Sequence, residues 1–311
     1  IYRSLVPEPT PKPTVAFGKL PPLPFPKVDG LPKYDFELET IDNELPKLPG
    51  QAKIFFMPKS TIGLYSLDRA RITANLLGFN TDPFRVSQTV YRFSHSSLPS
   101  QLEINIATKI FSISYDIEGF LNPLENRPPA PEVAIPRAKA ILAAANVLAD
   151  DISKGDATYE ILRVEEKNLI PVASLSEANL IKVNLFREPY DKVPSLTPFP
   201  NQANVWLILS GSGGRNQVLA GENLYFPVDK AKFATYPLKS SSQAFEELKN
   251  SQAYIASIGQ NLGGLVSIRK VYLAYYDAGF PVDFYQPIIV FEGDKNFMAY
   301  VPAVISDYYG D

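Results

Sequence analysis

Residues 264–305 read GLVSIRKVYLAYYDAGFPVDFYQPIIVFEGDKNFMAYVPAVI, and this stretch determines the predicted fold. Apolar, β-branched and aromatic residues dominate three runs in it, which is typical of strands. Two short segments rich in turn residues, 279–281 and 293–296, separate the runs. The stretch therefore predicts an antiparallel sheet of three long strands, at 264–276, 284–292 and 297–305.

Upstream of this sheet, short strands alternate with a few helices. The helices are predicted at 66–77, 136–153 and 241–249, from apolar residues at helical spacing. Alternation or apolar runs predict further strands at 34–38, 52–57, 88–93, 102–106, 111–115, 158–164, 178–187, 203–210 and 215–226. The order of elements indicates an α+β protein of two lobes, each an antiparallel sheet with helices packed on one face.

Two proline-rich segments suggest the domain boundaries. Eight of the twenty residues from Pro7 to Pro26 are proline, which excludes a helix interior or a central strand there. We therefore expect residues 1–33 to form an extended stalk. A second segment, 121–136, contains five prolines and is predicted to be a spacer. The expected domains are an N-terminal lobe at 34–120 and a C-terminal lobe at 137–311.

The first residue is Ile1, and we expect a removed membrane anchor to precede it. No run of about 18 apolar residues is present in the sequence itself. The interpretation is a protein held away from a bacterial cell membrane by its stalk, on the extracytoplasmic side.

Composition narrows the classes of protein. The chain of 311 residues is 45% hydrophobic and 20% charged, which is typical of a globular protein. Its net charge is −3 without a basic stripe, so we expect no nucleic-acid partner. The absence of cysteine excludes disulfides, thiolate zinc sites and thiol catalysis.

Four features of the sequence could suggest a catalytic or ligand-binding site, and each is better explained by a structural role or by solvent exposure. His95 is the only histidine and falls in a turn. The glycine-rich segment 210–215 lies between two predicted strands, whereas a phosphate loop precedes a helix. The segment 292–296 lacks the alternating acids of a calcium loop. Solvated charge explains the acid pairs Asp150-Asp151, Glu165-Glu166 and Glu246-Glu247. We therefore expect no catalytic, cofactor-binding or metal-binding residues.

Aromatic residues are densest near the C-terminus. Most should be core, because aromatic side chains dominate sheet packing. A strand that is apolar on both faces is either covered twice or meets a partner. The candidate interaction surface consists of Tyr272, Tyr275, Tyr276, Phe284 and Tyr285.

The C-terminal region resembles YycI/YycH-type proteins and related PepSY-like exported domains. The resemblance covers about 236–305 and rests on Tyr236-Pro237-Leu238-Lys239, on the stretch from Tyr285 to Gly293 (YQPIIVFEG), and on Phe297 to Val304 (FMAYVPAV). It implies a non-catalytic protein that is anchored by one N-terminal helix, lies outside the membrane and modulates a sensor kinase.

These observations favour a non-enzymatic, membrane-anchored binding or regulatory module that acts through protein–protein contacts. Its expected partner is another envelope or membrane protein, for which a sensor kinase is one candidate. Two alternatives remain open: a self-associating structural component of a cell-surface assembly, and an envelope glycan-binding domain or hydrolase. Whether the two lobes are a duplication or share a sheet is also open.

Overall fold

A computed structural model describes residues 11–116, 124–212 and 217–310. The chain divides into two compact units. Unit 1 comprises the described residues of 11–57, 228–276 and 283–310, and unit 2 those of 58–227 and 277–282. No helix in these described ranges has the length and apolar character needed to cross a membrane.

Unit 2 is built on a nine-stranded sheet in which every neighbouring pair is antiparallel. Its strands are β3 (Phe84–Arg85), β4 (Val90–Ser94), β5 (Ser100–Asn105), β6 (Phe111–Tyr115), β7 (Ala157–Glu165), β8 (Asn168–Pro171), β9 (Leu180–Leu185), β11 (Val205–Leu209) and β12 (Val218–Asn223). Their spatial order is β3-β4-β5-β6-β12-β11-β9-β7-β8. The short β10 (Ser195–Leu196) also belongs to this unit's chain segment.

Three helices cover one face of this sheet, namely α1 (Ser66–Leu76), α2 (Pro131–Ala144) and α3 (Asp150–Lys154). Small residues such as Ala70, Ala74 and Ala138 are fully or almost fully buried there, which lets the helix backbones approach the sheet closely. Leu102 and Leu207 from the sheet fill the same core. A smaller apolar cluster lies on the opposite face.

Unit 1 contains two further sheets. The larger follows the order β1-β15-β17-β18-β14, and the smaller follows β13-β2-β16. The strands are β1 (Tyr34–Leu38), β2 (Gln51–Phe56), β13 (Asp229–Pro237), β14 (Tyr254–Ser257), β15 (Gly264–Tyr276), β16 (Phe284–Tyr285), β17 (Pro287–Gly293) and β18 (Phe297–Pro302). Pairing is antiparallel except between β1 and β15. The helix α4 (Ser241–Lys249) begins with a capping box between Ser240 and Gln243.

The predicted α+β class is confirmed, with mostly antiparallel sheets and helices packed on them. The expected domain boundaries differ from the observed units. Strand β6 precedes the predicted spacer at 121–136 and pairs with β12, which follows it, so one sheet contains both strands. Strands β1 and β2 likewise pair with β15 and β13. The proline cluster around 128–136 lies partly inside α2, where Pro131 occupies the first turn.

The N-terminal segment is integrated into unit 1 over its described part, which corrects the prediction of a free stalk for residues 11–33. Leu20 is fully buried, its N–H donates to the carbonyl of Tyr308 (2.8 Å), and its carbonyl accepts from Gly310 N–H (2.8 Å). Phe25 stacks on Tyr254 with ring centroids 5.0 Å apart. Apolar residues between the prolines supply this packing. Residues 1–10 lie outside the described residues.

Candidate functional site

Two adjoining cavities in unit 2 form a groove. Their volumes are about 350 and 270 Å³, and they share Ala107, Lys109 and Asn146 as lining residues. The first cavity is lined by one face of α1 and by the turn between β5 and β6. The second is lined by the same turn, the connection from α2 to α3, and residues at the end of β12 and just after it. These two cavities and their lining residues are called the groove below.

The turn between β5 and β6 has a local cause in the sequence. The Oδ1 atom of Asn105 accepts hydrogen bonds from the backbone N–H groups of Ala107 (2.9 Å) and Thr108 (3.2 Å), which closes an Asx turn. Lys109 then adopts a left-handed conformation, with φ 65°. This geometry places Lys109 at the junction of the two cavities.

The connection from α2 to α3 supplies the opposite wall of the groove. Asn146 follows the end of α2 with φ 58°, a left-handed conformation that asparagine tolerates at this position. The Oγ1 of Thr73 donates to the carbonyl of Ala145 (3.3 Å), which links α1 to the end of α2. In this position Asn146 lines both cavities.

The groove is cationic. Arg69 on α1 and Lys109 in the turn line it with exposed side chains, and the lining residues include neither Asp nor Glu. Within the described ranges neither cation forms an ion pair, in contrast to Arg92, which contacts Glu103 at 2.6 Å. Two positive charges without local compensation favour an anionic ligand.

Asn223 adds a polar group to the second cavity. It is the last residue of β12 and is only 4% exposed, yet it lines the cavity. No hydrogen-bond partner for its side-chain amide is found in the part of the chain that the structure describes. By comparison, the buried amide of Asn184 donates to Glu160 (3.1 Å) and accepts from Ala203 N–H (3.4 Å). Asn223 is not among the residues whose fully buried side-chain polar atoms lack a partner, so its amide is open to the second cavity, where it can bond to water or to a ligand atom.

Exposed apolar side chains flank the groove just before and on α1. Ile62, Leu64, Tyr65 and Ile72 are 55%, 89%, 61% and 57% exposed. The backbone around them is held in a turn, because the Oγ of Ser66 accepts from the N–H of Gly63 (2.9 Å). We call Ile62, Leu64, Tyr65 and Ile72 the apolar rim. Several large apolar side chains that are exposed within one short stretch of chain are a feature of interaction sites.

A buried ionic cluster centres on Arg187, whose side chain is fully buried. Its Nη1 donates to Asp151 and its Nε to Asp277, both at 2.7 Å, and its Nη2 donates to the carbonyl of Phe226 at 2.6 Å. The hydroxyl of Tyr190 donates to the same oxygen of Asp151 (2.9 Å). Every guanidinium nitrogen has an acceptor, so the cluster is a structural network that joins four chain segments.

Tyr225 links the ionic cluster to the groove. Its ring lies 4.4 Å from the guanidinium of Arg187, and the residue lines the second cavity. Burial, followed by the nearby carboxylate of Asp151, raises the pKa of Tyr225 to about 12, although Arg187 opposes the shift. The phenol therefore remains protonated at neutral pH.

The raised pKa predicts a loss of stability in alkali. The folded protein holds this proton more tightly than the unfolded chain, whose phenol titrates near 10. The stabilisation is therefore complete below about pH 10 and is lost as the pH rises through about 12. Thermal unfolding between these pH values should show a smaller loss for Tyr225→Phe than for the parent. Tyr159→Phe, at an exposed position, should behave as the parent does, and equal losses in all three proteins would contradict the assignment.

The structure buries most of the candidate aromatic surface in unit 1. Tyr275, Tyr276 and Tyr285 are 2%, 2% and 0% exposed. The rings of Tyr275 and Tyr285 stack with centroids 5.1 Å apart. This corrects the prediction for these three residues, because Tyr275 packs against Phe55 and Tyr285 of the smaller sheet, and Phe25 of the N-terminal segment packs against Tyr276. Tyr272 and Phe284 are half-buried, and their role stays a prediction.

The structure also describes His95, the turn at 292–296 and part of the glycine-rich segment. His95 organises a turn, since its Nδ1 accepts from the N–H groups of Ser97 and Leu98, each at 3.1 Å. In the 292–296 turn, Asp294 accepts two hydrogen bonds from Arg269 (2.6 and 3.0 Å), and this contact lowers the pKa of Asp294. Residues 213–215 of the glycine-rich segment lie outside the described residues, although β11 and β12 on either side pair as expected.

One acid pair differs from its prediction. Asp150 is exposed and pairs with Lys154, as expected for solvated charge, whereas Asp151 is buried in the ionic cluster. Adjacent residues point apart at a helix start, so one carboxylate can be in solvent while its neighbour faces the core. Sequence reasoning also missed the groove, whose residues are unremarkable one by one. The turn from Asn105 to Lys109 is a weak signal of the groove in the sequence, because asparagine is favoured in such turns.

Comparison with known proteins establishes no family. No family model matches the chain, and no curated protein matches it. A solved structure of an uncharacterized protein from Eubacterium rectale ATCC 33656 is similar over 89% of each chain, with 12% identity and a TM-score of 0.39. A likeness at this level carries no argument about function. The resemblance to YycI/YycH-type proteins stays a prediction.

Proposed function

We propose that this protein is a non-enzymatic binding module that contacts a protein partner through the groove and its apolar rim. The observation that carries the proposal is the apolar rim beside a cavity with two uncompensated cations. Leu64 is 89% exposed, although burying a leucine side chain is worth about 1.5–3 kcal/mol. A partner that covers Leu64 and Tyr65 would recover that free energy, and tyrosine is enriched among residues that dominate binding.

Binding is better supported than hydrolysis at this site. Hydrolysis of a glycoside usually needs two carboxyl groups flanking the bond to be cleaved. The lining residues of the groove include no carboxylate. Their chemistry consists of cations, amides, hydroxyls, the phenol of Tyr225 and aliphatic side chains, which suits recognition of a ligand better than cleavage of a glycoside.

Site-specific photocrosslinking tests the partner surface. A photoreactive amino acid is placed at position 64 in the full-length protein in its native cells, with position 262 as the matched control. Leu262 is also 89% exposed but belongs to unit 1. We expect a discrete crosslinked protein from position 64 and none from position 262, with loss of the product when Tyr65→Asp is added.

The outcomes of this experiment separate the proposals. Equal crosslinking from both positions, or no product from position 64, would contradict the proposed surface. A product made only of two copies of this chain would instead support the structural-assembly alternative. That alternative also requires concentration-dependent association of the purified protein, which sedimentation velocity measures.

The proposal places the module outside the cytoplasm of a bacterium, anchored to the cell membrane. Its support is compositional: the chain has no cysteine, which is also true of many extracytoplasmic proteins of thiol-poor bacteria. Protease added to protoplasts of the native host should then digest the protein without lysis. Protection until the membrane is broken would contradict this placement.

A further inference from the structure

We infer that the groove binds an extended peptide segment of the partner through a carboxylate, with neighbouring apolar side chains of that segment in the two cavities. The inference rests on the proposed function and specifies the chemistry of its site. Arg69, Lys109 and Asn223 carry the argument, and no one of them is sufficient alone.

The first step concerns charge. Arg69 and Lys109 come from different elements, α1 and the β5–β6 turn, and both line the first cavity. Charge-assisted hydrogen bonds from such groups to a carboxylate are about twice as strong as neutral ones. The lining contains no acid that would compete for the cations, so a carboxylate on the ligand is the complementary group.

The second step concerns the rest of the ligand. Ile72, Ile104 and Ile106 line the first cavity, and Val147 and Leu148 line the second. Aliphatic walls favour a ligand that buries apolar side chains on both sides of its anionic group. A small inorganic anion or a nucleic-acid backbone would leave these walls without contacts, whereas an acidic peptide with apolar neighbours fills them.

The third step concerns the peptide backbone. The amide of Asn223 carries both donors and an acceptor, and the amide of Asn146 lies on the same cavity. A peptide bond presents one N–H and one carbonyl oxygen, which together match such an amide. The 96% of Asn223 that the fold buries restricts its side chain, so the amide is oriented before the ligand arrives.

Fluorescence anisotropy with the intact chain tests this inference. The probes are labelled peptides of about ten residues, acetylated and amidated, that alternate Leu with Glu, Gln or Lys. We expect the Glu peptide to bind about tenfold or more tightly than the Gln peptide, and the Lys peptide to bind least. A Leu/Gln peptide with a free C-terminus distinguishes a terminal carboxylate from a side-chain carboxylate.

Variants locate the binding. Lys109→Gln and Arg69→Gln should each weaken the Glu peptide by about 3- to 30-fold and leave the Gln peptide nearly unchanged. Lys192→Gln is the matched control, since Lys192 is exposed in unit 2 outside the groove. Asn223→Asp should weaken the Glu peptide by adding a negative charge; should this variant fold poorly, Lys109→Glu makes the same test at the surface.

Several results would overturn the inference. They are equal affinity for the Glu and Gln peptides, no binding of any peptide, equal loss from Lys109→Gln and Lys192→Gln, or tighter binding of an oligonucleotide than of the Glu peptide. The photocrosslink at position 64 does not depend on these probes. A crosslinked partner without charge discrimination would therefore refute the acidic peptide and leave the proposed function standing.

Discussion

Replacing Arg187 by alanine is expected to lower the free energy of unfolding by about 3–5 kcal/mol, because the change leaves buried carboxylates without their cation. The side chain of Arg187 is fully buried, and its partners Asp151 and Asp277 are 6% and 7% exposed. An effect of this size is a large share of the stability of an ordinary domain. Urea unfolding monitored by circular dichroism measures it.

A matched control separates the effect of burial from the effect of removing a positive charge. Arg92→Ala removes an exposed pair with Glu103, in which both side chains are about two-fifths exposed, and should cost only about 0–1 kcal/mol. Tyr190→Phe removes one hydrogen bond from the buried cluster and should cost about 1 kcal/mol, which gives a graded variant if Arg187→Ala does not fold. Equal losses for Arg187→Ala and Arg92→Ala would contradict the structural role of the cluster.

Replacing Leu20 by alanine is expected to lower the free energy of unfolding by about 2–5 kcal/mol, although Leu20 lies in a proline-rich stretch. Leu20 is fully buried and its backbone is hydrogen-bonded to Tyr308 and Gly310, so the substitution leaves a cavity inside unit 1. A free stalk would show no effect. Thermal or urea unfolding of the full chain measures the change.

Leu31→Ala is the control for this prediction. It makes the same chemical change eleven residues further along, where the side chain is 36% exposed, and its effect should be clearly smaller. A negligible loss for Leu20→Ala, or similar losses for the two variants, would show that the segment does not contribute to the folded unit.

The elements themselves were largely predictable from the sequence. The predicted strands at 34–38 and 111–115 and the helix at 241–249 have the observed bounds. Their signals are local: side-chain alternation in the strands, and in the helix a Ser240 cap with its reciprocal bond to Gln243. Such signals act over a few residues and need no knowledge of the rest of the fold.

The prediction was weaker where an element depends on distant neighbours. Strand β13 (Asp229–Pro237) was missed, because its strand character comes from pairing with β2 and not from a clear alternation. The helix predicted at 136–153 is two helices, α2 and α3, with left-handed Asn146 between them. A continuous apolar face in the sequence does not reveal that one residue leaves the helical conformation.

The proline content predicted the backbone conformation of the N-terminal segment correctly. It was misleading about whether that segment packs against the rest of the protein. It excludes interior helix and central strand, and residues 21–26 indeed contain no regular element. Proline does not prevent an extended segment from packing, and Leu20 and Phe25 bury apolar surface beside it. Backbone restriction and burial are separate physical quantities, and only the first can be deduced from proline content.

The sequence by itself determined the α+β class, most strands and helices, and the expectation that His95 and the 292–296 turn have structural roles. Tertiary structure alone decided which strands pair, and this pairing in turn defines the two units and the groove. The pairing of β6 with β12 sets Asn223 beside Phe111, more than one hundred residues away in sequence. The groove follows from such pairings, because its cations and amides belong to segments whose separation in space depends on the packing of the whole sheet.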